Sequence, residues 1–167
     1  MAGFFSRWIL RRVLASGLAF EREAIDAYRT LREKLQKPGR CADPESLEGS
    51  LCHLLEEEQM HEQILSDAAA GRLSIEDLER MVKGHLYTGF DAIRPLQGED
   101  AERWREDLGA ALAREEKTWI FYGNLGRMSK IPAARRAFEV LASMEKEHVD
   151  ILRKLLGISE GSGTGKP

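Results

Sequence analysis

Residues 54–65 read Leu54-Leu55-Glu56-Glu57-Glu58-Gln59-Met60-His61-Glu62-Gln63-Ile64-Leu65. Steps of three and four put Leu54, Glu58, His61 and Leu65 on one helix face. A second stretch repeats the arrangement with Phe138, Leu141, Glu145, His148, Leu152 and Leu155. Each face is apolar apart from its Glu-x-x-His pair. A carboxylate turned toward a core is costly unless it is paired or holds a cation. Two further segments show the same oddity with a single glutamate, in the rows Leu14, Leu18, Glu21, Ile25, Tyr28 and Leu108, Leu112, Glu115, Trp119, Tyr122. Four helices with acid on their inner faces predict an all-α bundle around a polar centre.

Composition makes chance a poor account of this pattern. Twenty of the 167 residues are glutamate, so a glutamate three positions before a given histidine arises about one time in eight. Two such pairs among four histidines would occur in roughly 7% of such chains, before the apolar rows and the repeated Glu-to-Tyr spacing are required as well. Neighbouring residues fit the rows less well. Glu23 and Glu116 compete with Glu21 and Glu115 but miss the Leu and Tyr register. Glu56, Glu57 and Glu62 read as solvated, and His53 and His85 have no ligand-spaced partner. Met60 and Met144 read as packing.

Working outward, the chain divides into four long helices and a short one. The first runs from about Phe5 to Lys37 and stops at Pro38-Gly39. Asp43-Pro44 supplies an N-cap and a first-turn proline for the second, which ends near Ala70 with Gly71 as a left-handed stop. Ser74-Ile75-Glu76-Asp77 has capping-box form and starts a short helix to about Lys83. Gly84 to Gln97 reads as loop. Gly98-Glu99-Asp100 opens the third helix, to about Arg127, and Ser129 caps the fourth, which ends at Gly157. Short turns inside each half make antiparallel pairs, and the link of roughly 30 residues between halves must cross the bundle. The domain therefore spans 1–157, and the Gly/Ser-rich residues 158–167 form a disordered tail.

The charged fraction of 32% and net charge of −3 carry no basic excess of the kind nucleic-acid binding needs. A mean hydropathy of −0.40 and the lack of a long uncharged apolar run argue against a membrane span. Arginines interrupt the opening apolar stretch, so it does not read as an export signal. The two cysteines, Cys41 and Cys52, form no Cys-x-x-Cys pair. They are expected to be reduced in a cytoplasmic protein. Phe4, Phe5, Trp8 and Ile9 beside Arg7, Arg11 and Arg12 read as packing against the bundle end or a second subunit, in preference to a membrane-surface contact.

One glutamate from each of two helices plus Glu-x-x-His from each of two others is the ligand template of di-iron carboxylate bundles. Charge supports it, because four carboxylates carry −4 and two divalent cations supply +4. Mixed oxygen and imidazole donors suit iron, with manganese and zinc as alternatives. Glu58 and Glu145 are expected to bridge two metals, with Glu21 and His61, and Glu115 and His148, as terminal ligands. Tyr28 and Tyr122 each follow their glutamate by two turns and are expected to donate hydrogen bonds to ligand carboxylates.

Glu21-x-x-Ala-x-x-x-Tyr28, Glu58-x-x-His61, Glu115-x-x-Thr-x-x-Phe-Tyr122 and Glu145-x-x-His148 resemble the ferritin-like superfamily, in particular rubrerythrins and bacterioferritins. The resemblance covers about residues 10 to 156. It implies a ferritin-like four-helix bundle with a di-iron centre that reacts with O2 or hydrogen peroxide, re-reduced by an external donor such as a rubredoxin or flavoprotein. Rubrerythrins typically add a rubredoxin-like domain and a further glutamate one turn after the third-helix ligand, where this chain has Thr118. The alternatives are a ferroxidase or iron-storage role and a di-iron hydroxylase, for which Ile25, Trp119 and Phe121 would line the substrate pocket. Related bundles commonly dimerise, so a homodimer without nucleic-acid or membrane partners is expected.

Overall fold

A computed structural model describes residues 2–37, 41, 44–74, 77, 80–81 and 93–158, with side chains at all of these except 2–11, 44–46 and 133. Its long helices are α1 (Ala2–Leu35), α2 (Pro44–Ala69), α3 (Gly98–Met128) and α4 (Pro132–Leu155). No strand occurs among the described residues, and no described helix is long and apolar enough to cross a membrane.

The helix ends follow from local chemistry. At the end of α2, Gly71 sits at φ 74, its N–H bonds to Ala68 O at 3.1 Å, and Arg72 N–H bonds to Asp67 O at 2.8 Å. Gly157, at φ 67, closes α4 the same way, with Gly157 N–H on Lys154 O and Ile158 N–H on Arg153 O. Both are paired six-to-one and five-to-two closures, which satisfy carbonyls the helix leaves open. α1 ends at Leu35, two residues before the expected Lys37, in a turn where Lys37 N–H reaches Lys34 O. Ser129 does not cap the last helix as expected. Ile131 is the N-cap and Pro132 opens the helix, because a proline at the first position forfeits no hydrogen bond and brings a helical φ with it. Ser129 instead ends α3, its N–H bonded to Leu125 O at 2.9 Å.

Pairwise contacts set the topology. Arg32 meets Glu48 and Arg22 meets Glu62, so α1 and α2 are antiparallel. Arg153 reaches Glu116 at one end of the α3–α4 pair while Gly126 faces Glu139 further along, so these two are antiparallel as well. Tyr122 bonds Glu21 and Tyr28 bonds Glu115, which makes α1 and α3 antiparallel too. α2 must then run parallel to α3, and the segment between them has to cross the length of the bundle. That is the single-crossover arrangement of ferritin-like bundles.

Of the crossover, Ser74 and Asp77 form the expected capping box, with Asp77 N–H on Ser74 Oγ at 3.1 Å and Ser74 N–H on Asp77 Oδ2 at 3.2 Å. The crossover's far end is pinned where Leu96 N–H bonds Leu155 O at 2.9 Å and Ile93 enters the core. Most of the expected short helix, residues 84–92 of the loop (His85 among them), Pro38-Gly39, Asp43 and the tail beyond Ile158 lie outside the described residues. So do the side chains of Phe4, Phe5, Trp8 and Ile9.

The core is two apolar layers with a polar one between. Leu31, Leu35, Leu47, Leu51, Trp104 and Leu155 fill one end. Leu14, Leu65, Ala134, Phe138 and Leu141 fill the other. On α3 the buried residues Trp104, Leu108, Ala111, Glu115, Thr118, Tyr122 and Gly126 form a single stripe. Ala111 and Thr118 take inward positions expected of Leu112 and Trp119, which are only half-buried. Gly17 likewise replaces Leu18 on α1. Small residues fall on the line where helices approach most closely, and their larger neighbours flank it.

Candidate metal centre

Glu21, Glu58, His61, Glu115, Glu145 and His148 converge from all four helices, each at most 1% exposed. Their donor atoms form two groups of four. Glu21, Glu58, His61 and Glu145 make one, and Glu58, Glu115, Glu145 and His148 the other, with the atoms of each group within 4.8 Å of one another. Glu58 and Glu145 belong to both. His61 Nδ1 lies 3.4 Å from Glu145, 3.6 Å from Glu58 and 3.7 Å from Glu21. His148 Nδ1 lies 2.9 Å from Glu58, 3.8 Å from Glu115 and 3.9 Å from Glu145. The two imidazoles stack with centroids 5.6 Å apart.

Internal pairing leaves these groups unsatisfied. Both oxygens of Glu58, both of Glu145, one of Glu21 and both nitrogens of each motif histidine are buried without a hydrogen bond. Even the 2.9 Å approach of His148 to Glu58 has the wrong direction for one. Buried polar atoms are nearly always paired, so this density of orphans marks donors arranged for a cation. The residues present fit two divalent ions on both counts, donor chemistry and charge.

The electrostatics point the same way. Burial, and then the charge of Glu58, push the Glu145 carboxyl up to about 8. Burial raises Glu21 well above the carboxylate range, helped by Glu145 and Glu58. Burial opposes charge on His61 and His148, but the surrounding carboxylates outweigh it and raise both. Glu58 feels the same burial, yet His148 holds it well below its ordinary value. Without cations the cluster keeps protons in order to limit its own repulsion.

The tyrosines cross the bundle. Tyr28 on α1 donates to Glu115 Oε1 on α3 at 2.6 Å, and Tyr122 on α3 donates to Glu21 Oε1 on α1. Each therefore serves the glutamate of the opposite helix, a consequence of antiparallel pairing. Burial, together with Glu115 for Tyr28 and Glu21 for Tyr122, raises both phenols, so they remain donors. Gly17 makes room for one of them, since a Cβ there would sit 2.7 Å from the Tyr122 hydroxyl.

Among competing residues, Glu116 pairs with Arg153 at 2.7 Å, Glu62 with Arg22 at 2.7 Å, and Glu23 and Glu56 are exposed. Met60 and Met144 pack in the second apolar layer. Glu57 overturns its expectation, whereas His53 is a boundary residue outside both donor groups, as expected. The Glu57 side chain is only 11% exposed and lies 3.5 Å from His148 Nε2 and 3.9 Å from His53 Nε2. Burial raises the Glu57 carboxyl, but His148 and His53 beside it hold it below the ordinary range. Spacing gives only a partial signal: Glu57 lies four residues from both His53 and His61, one position off the ligand row.

A family model described as Rubrerythrin matches residues 12–156. No curated protein and no solved structure matches the chain significantly. The matched span takes in all four glutamates, both histidines and both tyrosines of the buried cluster, and the chain belongs to the rubrerythrin family.

Proposed function

We propose that the protein is a non-haem di-iron oxidoreductase that reduces hydrogen peroxide or O2. The observation that carries this reading is the pair of four-donor groups sharing Glu58 and Glu145. Those two carboxylates would be shared between two ions, with Glu21 and His61 holding one and Glu115 and His148 the other. Bound there in the ferrous state, two iron ions would supply the two electrons that, with two protons, convert one H2O2 to two waters. Tyr28 and Tyr122 hold Glu115 and Glu21 in orientation, and the apolar layers on either side keep bulk water from the donors. Re-reduction falls to an external donor, a rubredoxin or a flavoprotein. Stopped-flow mixing of the anaerobic ferrous protein with peroxide tests the proposal. Oxidation well ahead of free ferrous iron is expected, and parity with free iron would reject it.

Thr118 favours a second reading, a ferroxidase or iron-handling role. Its hydroxyl bonds the Arg114 carbonyl at 3.2 Å, so the position one turn after Glu115 offers no further carboxylate. Uptake stopping near two irons per chain supports turnover, and many irons per assembly supports storage. A hydroxylase has less behind it. Ile25 packs in one apolar layer, while Trp119 and Phe121 flank the other.

A further inference from the structure

We infer that the two metal positions are inequivalent: Glu57, as a positioning residue, makes the Glu115/His148 position the tighter, so that it fills first. This rests on the di-metal reading of the cluster and deepens it. His148 turns Nδ1 into the cluster and Nε2 outward, where Glu57 Oε2 lies 3.5 Å away. Both facing atoms are buried and lack a hydrogen bond, so each is the other's complement. An imidazole that binds a cation through one nitrogen carries its proton on the other. An acceptor there fixes tautomer and ring orientation and makes the ligand more basic. Behind Glu57, His53 Nε2 stands 3.9 Å from its other oxygen, beyond hydrogen-bonding distance.

His61 has no equivalent support. It also turns Nδ1 inward, but its Nε2 is buried without a hydrogen bond, and among the described residues no carboxylate other than those of Glu21, Glu58 and Glu145 comes within 4.0 Å of the ring nitrogens. The repeat explains the difference. Glu57 immediately precedes the first motif glutamate, and the matching residue before Glu145 is Met144, buried and apolar. One turn earlier, His53 corresponds to Val140. One half of the bundle therefore carries a carboxylate behind the other half's histidine, and the reverse support is missing.

Titration of the metal-free protein with Co2+, followed by visible absorption and calorimetry, tests this. Wild type is expected to bind in two resolved steps, and crystals at one equivalent should show cobalt anomalous scattering beside Glu115 and His148. Glu57→Met copies the unsupported half. It should weaken the first step by about 10–100-fold and merge the two, leaving the Glu21/His61 step unchanged. A purely packing role for Glu57 would weaken both steps alike. Glu57→Gln preserves shape and an acceptor oxygen, and should fall between wild type and Glu57→Met. First occupancy beside Glu21 and His61, or variants that titrate as wild type does, would overturn the inference while leaving a di-metal centre standing. Failure of wild type to bind Co2+ tightly would remove both.

Discussion

Tyr122 reaches Glu21 only because residue 17 has no side chain. Ala at that position normally helps a helix, by about 1 kcal/mol over glycine. Here the added methyl would displace the phenol, and overpacking costs about 1–3 kcal/mol. Gly17→Ala is therefore expected to lower the melting temperature and to weaken metal binding in the same direction as Tyr122→Phe. That second variant strands a buried carboxylate oxygen at a cost of about 1–3 kcal/mol. Thermal melts of the two, with metal-loading curves, check the shared cause. An unaltered Gly17→Ala loading curve would deny it. Glu58→Ala removes a donor common to both groups. Metal content should drop below two per chain, as read by elemental analysis, and a full complement would refute the bridging role.

The six donors could be read from spacing alone, since a helix fixes which residues share a face. Glu57 could not be ranked that way. It sits a third of a turn from Glu58, and whether that direction meets water or another helix depends on where α4 packs. The same limit explains Leu18, Leu112 and Trp119, each displaced from the inner line by a smaller neighbour. Periodicity locates a face to within a residue, and interhelix distance chooses which residue lies at its centre.

At the level of elements, α2 tests the argument about glycine in both directions. Gly49 is exposed within the helix, and a Cβ there meets nothing within 4 Å. Gly49→Ala should stabilise by about 0.5–1 kcal/mol, through backbone entropy. Gly71 also has open space around it but sits at φ 74. Gly71→Ala should destabilise by about 1–2 kcal/mol, because a Cβ in the left-handed region crowds the carbonyl. Chemical denaturation of both variants reads the opposite signs. Helix stops of this kind were legible beforehand because they are local. α4 starts after Ile131 and not after Ser129 because Pro132 suits the first helical position, which outweighs the capping preference of the serine.

For the molecule as a whole, the buried cluster links stability, pH and metal. Glu145 lies near 8 when folded and near 4.5 when unfolded, so its contribution is complete below 4.5 and is lost as pH rises through 8. Glu21, His61 and His148 are also raised and act in the same sense. Glu58 is already ionised across this range and adds no slope. The chelated protein should therefore melt at progressively lower temperature from pH 6 to pH 9. Cations require deprotonated ligands, so the stabilisation they confer should grow over the same range. Calorimetry with and without chelator would show the gap between the two forms widening with pH. A constant gap would mean that the cluster does not hold protons when empty.

Sequence by itself determined the all-α class, the four helices, the six converging donors and the two tyrosines, because helical periodicity and the cost of burying charge act within single segments. Tertiary structure decided which glutamate each tyrosine serves, why residue 17 must be glycine, and that Glu57 stands behind His148 while nothing stands behind His61. Those facts depend on antiparallel register and on the distance between helices far apart in the chain, which no local pattern encodes.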